Sequence, residues 1–284
     1  MSERAHEVVM DGLGFPECPR WHDGKLWISD MAHKRVIVCP AAGKHEVFLE
    51  LPDRPSGIGW LPSGEMLVVS MEQQLLLRVA QDGSVTTHAD PSHLVRAHLN
   101  DMVVDADGTA YVTNLGYDAH AEDPVTTGVV RVSPDGAVEM ISGGLLRPNG
   151  IVITPQRDAL ITAETRVGRL TRIPLDRACQ AGAAEVIHQF ESGAWADGIC
   201  LDEEGGIWVA DPRGRRCVRV LPGRGVVDVI STEHAATSCV LGGEGRRTLY
   251  ITTGARARTW DDMAANRLGR VEAYPVAVSG AGRP

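Results

Sequence analysis

The sequence predicts an all-β fold, a six-bladed β-propeller of four-stranded antiparallel blades whose ring is closed by the N-terminal strand. Two observations carry this. A short anchor segment with a polar second residue recurs six times, those residues being Glu17, Ser56, Asn100, Asn149, Asp197 and Thr237, separated by 39, 44, 49, 48 and 40 positions. Thirteen to sixteen residues beyond each anchor, a β-branched and aromatic segment ends on Asp30, Ser70, Asn114, Glu164, Asp211 or Thr253. Composition agrees, because 31 glycines and 16 prolines in 284 residues favour many short strands with tight turns over long helices.

Along the chain, residues 6–10 form an extra strand before the first anchor. Blade one then runs through 16–21 and 26–30, joined at Asp23-Gly24, followed by 36–39 and 46–49. Blade two opens with 55–60 and 66–70 around Ser63-Gly64, and blade three with 99–104 and 110–114 around Asp107-Gly108. Its outer strands, 128–132 and 138–142, turn at Asp135-Gly136. Blade four opens with 148–153 and 160–164, and blade five with 196–201 and 207–211, followed by 218–221 and 226–230. Blade six supplies three strands, 236–241, 249–253 and 269–276, so the N-terminal strand is expected to complete it. Residues 1–284 thus read as a single domain.

Net charge is −9, from 28 basic and 37 acidic residues, and no block of like charge marks a nucleic-acid or membrane partner. The six cysteines form no C-x-x-C pair, and the N-terminus has no apolar leader. The expectation is a cytoplasmic protein with reduced thiols, a monomer or small homo-oligomer acting on a small molecule.

In such a meander the residue opening each innermost strand stands at one mouth of the central channel. The six anchors should therefore converge on the axis. They gather oxygen donors, two of them carboxylates, the preference of a hard divalent cation. Asn149-Gly150 and Asp197-Gly198 also resemble turn dipeptides. Their register with Glu17 and Asn100 assigns them instead to strand entrances. The connections expected on the same face include residues 90–99, 115–127 and 254–268, read as loops, which carry Tyr117, Asp118, His120, Arg256, Arg258, Trp260 and Asp261. His98, Arg147 and Trp195 lie on connections between blades. Together they predict a cleft with aromatic and basic walls above a metal.

The motifs Pro16-Glu17-Cys18-Pro19-Arg20-Trp21, Asn100-Asp101, Arg147-Pro148-Asn149-Gly150 and Ala196-Asp197-Gly198-Ile199 resemble those of the SMP-30/gluconolactonase/LRE-like family over essentially the whole chain. The resemblance implies one divalent metal held by Glu17, Asn149 and Asp197, with Ca²⁺ first and Mg²⁺, Mn²⁺, Zn²⁺ or Fe²⁺ as alternatives, and lactone hydrolysis as the activity. Asp197 is the candidate catalytic base, with His98 as its rival. Asn100, His98, Asn114, Tyr117 and Trp260 are the candidate substrate contacts. Sugar lactonases of this family carry an arginine where this chain has His98, which points to a less polar lactone or ester. Hydrolysis of another bond, such as a phosphotriester, and noncatalytic metal or ligand binding are the rival readings.

Overall fold

The computed structural model describes residues 6–282 except 42, 43, 120 and 256, so His120 and Arg256 lie outside the described residues. Among the described residues the strands form six four-stranded antiparallel sheets arranged as a six-bladed propeller. The N-terminal strand Glu7–Leu13 pairs with Gly269–Pro275 as the outermost strand of blade six, closing the ring as the sequence predicts. No helix among the described residues is long and apolar enough to cross a membrane.

Each pair of neighbouring blades shares its own apolar core. Ile199, Val209 and Val218 of blade five pack on Val152 and Leu170 of blade four, for example. The tryptophans fill these interfaces. Trp208 lies between blades five and six, Trp27 and Trp60 between one and two, and Trp21 stacks on Tyr250 across the closure of the ring. Cys200 and Cys239 belong to the same buried packing, their sulfurs 3.7 Å apart.

The inner strands Pro16–His22, Pro55–Trp60, Leu99–Val104, Pro148–Ile153 and Ala235–Gly242 share a β-bulge. In each, one extra residue enters the register just after the anchor. A bulge bends the strand and re-aims the side chain at its start, here toward the channel mouth. Blade five begins its strand later, at Ile199, yet Asp197 and Gly198 still hydrogen-bond across to Ala210 at 2.9 and 3.0 Å.

The glycines after the anchors are there for space. Neither Gly150 nor Gly198 has a positive φ. A Cβ on Gly150 would come 2.6 Å from the Asp197 carbonyl oxygen, and one on Gly198 would come 2.0 Å from Ser238 Oγ. The Asn-Gly and Asp-Gly pairs therefore mark the close approach of inner strands, not turns. Gly198→Ala should cost about 3 kcal/mol through overpacking. Gly205→Ala, where the neighbourhood is open but φ is +75°, should cost only about 1–2 kcal/mol. Urea unfolding midpoints of the two variants test this ordering, and equal midpoints would refute the steric explanation.

Candidate functional site

Four of the six anchors, Glu17, Asn100, Asn149 and Asp197, line one cavity of about 870 Å³ at the upper mouth of the channel. Ser56 and Thr237 do not face it. Their hydroxyls are fully buried in the wall, Ser56 donating to Asn100 Oδ1 at 3.2 Å and Thr237 to the Pro16 carbonyl at 2.9 Å. The Ser56 bond leaves the Asn100 NH₂ group as the donor for a ligand.

The anchors are fixed through their backbones. Thr113 Oγ1 donates to the Asn149 carbonyl at 2.8 Å, the Gly150 N–H reaches the Asp197 carbonyl at 3.3 Å, and Asp197 N–H donates to Ala210. Glu17 Oε2 accepts the Cys18 N–H at 3.1 Å, made possible by a left-handed Cys18 (φ 46°). Beneath this layer Arg20, 3% exposed, plugs the channel, bonding Asp101 and the carbonyls of Pro19, Ile58 and Met102. Burial, with the Asp101 and Glu17 carboxylates adding to it, pushes the Cys18 thiol well above its ordinary range, which keeps it from acting as a thiolate.

The residues present suit a hard cation. Asp197, 4% exposed, and Glu17 supply carboxylates, and Asn149 adds an amide oxygen beside them. No group of three or more His, Cys, Asp and Glu side chains suited to a metal forms among the described residues, so any cation here would depend on Asn149 as well as on the two carboxylates.

Of the remaining candidates, His98, Tyr117 and Trp260 line the same cavity, as do Arg147, Trp195, Asp118 and Arg258. Asp261 is exposed and not part of its lining. Asn114 is elsewhere. Fully buried, it donates to the Gly128 carbonyl at 3.0 Å and accepts from Gly116 N–H and Thr127 Oγ1, so its amide is spent tying blade three's upper loop together. It belongs to a set of strand-ending residues with that task. Asp30 accepts the N–H groups of Gly14 and Phe15, Glu164 that of Leu146, and Asp211 that of Trp195, each fixing the connection that leads into an anchor.

Residues 254–268, expected as a loop, contain a helix, α1 (Trp260–Asn266). Its signal is the capping box of Thr259 and Asp262, whose side chains each accept the other's backbone N–H at 3.1 Å. Trp260 and Met263, three apart on one face, pack over Phe15, Met31 and Met71 and roof the cavity. Arg54 stacks on the Trp260 ring at 4.8 Å, and His33 bridges Asp30 (2.7 Å) to the Ala264 carbonyl (3.1 Å), pinning α1 to blade one.

Sequence reading missed Met31, Met71 and Thr165, which line the cavity, as does Leu115. Each directly follows the polar residue that ends a second strand, so the repeat register could have found them. It also missed Arg96 and Arg166 and the acids Glu72 and Glu122, so the lining mixes four arginines with five carboxylates.

A model of the SMP-30/Gluconolactonase/LRE-like region matches residues 15–255. A relative from Pseudomonas putida named 6-deoxy-6-sulfogluconolactonase is 27% identical over 291 aligned positions, spanning 100% of this chain and 99% of the relative. Pentonolactonase XacC of Haloferax volcanii is 26% identical, over 96% of this chain and 94% of its own. In fold, the chain is similar to a calcium-binding protein, regucalcin, from Agrobacterium tumefaciens, with a TM-score of 0.81 at 23% identity over 98% of this chain and 96% of that one.

Proposed function

The chain belongs to the SMP-30/gluconolactonase/LRE-like family, and from that premise we propose that it is a divalent-cation-dependent hydrolase of a sugar lactone. The observation that carries this reading is the presence of Glu17, Asn149, Asp197 and Asn100 in the lining of one roofed cavity. The lactonase names of full-length relatives support it.

Glu17, Asn149 and Asp197 would hold the cation, a hard divalent ion such as Ca²⁺ to match their oxygens. When bound, it would polarise the lactone carbonyl and stabilise the charge collecting on its oxygen. Asp197 takes a proton from the attacking water as the new C–O bond forms at the carbonyl carbon. The ring C–O bond then breaks and its oxygen takes that proton back from Asp197, so that lactone and water yield the open hydroxy acid and the carboxylate is restored. Asn100 donates its NH₂ to a substrate oxygen, while α1 and Tyr117 limit the access of bulk water. His98 is exposed at the rim, which favours Asp197 over it as the base.

A lactone panel assayed with and without a chelator tests this reading. Turnover should vanish on chelation and return with Ca²⁺. Turnover indifferent to chelation would exclude the cation's role. Cation binding without turnover of any lactone would favour a binding propeller.

A further inference from the structure

We propose that the preferred lactone carries a strong-acid oxyanion, a sulfonate, phosphate or carboxylate, remote from its reacting carbonyl, and that Arg166 and Arg213 receive it against Trp195. This rests on the lactonase reading and adds the substrate class. It also replaces the apolar substrate expected from His98.

Half of the described arginines are held by carboxylates. Among the described residues eleven of them make ion pairs with Asp or Glu. Three pairs follow a rule of register. Asp30, Glu164 and Asp211 each end a second strand, and each is paired with the arginine five positions on, Arg35, Arg169 or Arg216, directly across the next strand. In blades four and five a second arginine stands two positions after the same carboxylate, and these are Arg166 and Arg213.

Neither has a carboxylate partner among the described residues, because the nearby acids are already engaged. Glu164 is bonded by Arg169, Thr171 and the Leu146 N–H. Asp211 is bonded by Arg216 and by the N–H groups of Trp195 and Gly214. Both free guanidinium groups instead stack on one indole. Arg166 lies 5.1 Å and Arg213 5.6 Å from the Trp195 ring.

An exposed arginine is by itself a solvated charge. Here two equivalent positions on adjacent blades converge on one ring in the cavity wall, and that ring is two residues from Asp197. The stacking holds the guanidinium planes without consuming their N–H groups, which leaves two forks for bidentate binding of an oxyanion. Carboxylates line the same cavity, at Glu17, Glu72, Asp118, Glu122 and Asp197, so the positive charge that the two guanidinium groups supply is confined to the side of Trp195.

The test compares gluconolactone with aldonolactones bearing a terminal sulfonate, phosphate or carboxylate. The charged substrates should be preferred in kcat/KM by about 10–100-fold at low salt, the preference falling as salt rises. Arg166→Ala and Arg213→Ala should each lower the charged-to-neutral ratio about 10-fold, chiefly through KM, with partial rescue in Arg166→Lys. Arg224→Ala, on the opposite face between the outer strands of blade five, should leave the ratio unchanged. A ratio near one, or one that these substitutions do not move, overturns the proposal. Calorimetric titration of the open sulfonated acid separates the two readings. Arginine-dependent binding without turnover of any lactone would sink the lactonase reading and keep the oxyanion site. Absence of binding would sink the site itself.

Discussion

Asp197→Ala should lower kcat for the lactone by about 10³-fold or more while the chain still folds. The size follows from the two tasks proposed for one carboxylate, accepting the water proton and holding the cation. Asn100→Ala should be milder and different in kind, since it removes one hydrogen-bond donor to the substrate and should act mainly on KM, by about 10-fold. Folding should survive Asp197→Ala because the bonds that fix this position, from Asp197 N–H to Ala210 and from Gly150 N–H to the Asp197 carbonyl, are backbone bonds. Steady-state kinetics, a calorimetric titration of Ca²⁺ and a thermal melt on the same preparations decide the matter. A variant with weakened Ca²⁺ binding and no turnover at saturating Ca²⁺ fits both roles. Near wild-type turnover would end the case for Asp197 as base.

The ring was legible because its information is periodic. Each inner strand opens on a small or polar anchor, five of the six blades turn at a hairpin glycine below it, and each second strand ends on a polar residue, so the anchor pattern repeats with the blade. The same periodicity led to the misplacement of Asn114. A polar residue at a strand end on the entrance face is read as a ligand contact, yet its amide is exhausted by Gly128, Gly116 and Thr127. What was not legible is pairing. Between residues 211 and 216 the chain offers Asp211 three arginines, at 213, 215 and 216, and only the register of the next strand gives it to Arg216. The two guanidinium groups on Trp195 are what that allocation leaves over, visible only after the ion pairs have been drawn. The helix α1 was missed for a local reason, since seven residues are too few for a periodic signal and only the Thr259-x-x-Asp262 cap announces it.

Arg20→Met should destabilise the fold by about 3–5 kcal/mol, the largest stability loss expected from a single substitution of a charged residue here. Arg20 and Asp101 are 3% and 2% exposed, and they sit on inner strands of blades one and three. The guanidinium also satisfies the carbonyls of Ile58 and Met102, so one side chain stitches three blades across the channel beneath the anchors. Methionine fills much of the volume but leaves the Asp101 carboxylate buried with only the Met102 N–H and the walls of the channel around it. Most of the loss should come from that stranded charge, not from lost packing. Arg20→Met combined with Asp101→Asn should therefore recover about 2 kcal/mol, because a buried neutral amide costs less to desolvate than a carboxylate. Urea unfolding of the wild type, both single variants and the double variant completes the cycle. A double variant no more stable than Arg20→Met would show that the carbonyl bonds, and not the ion pair, hold the centre of the ring.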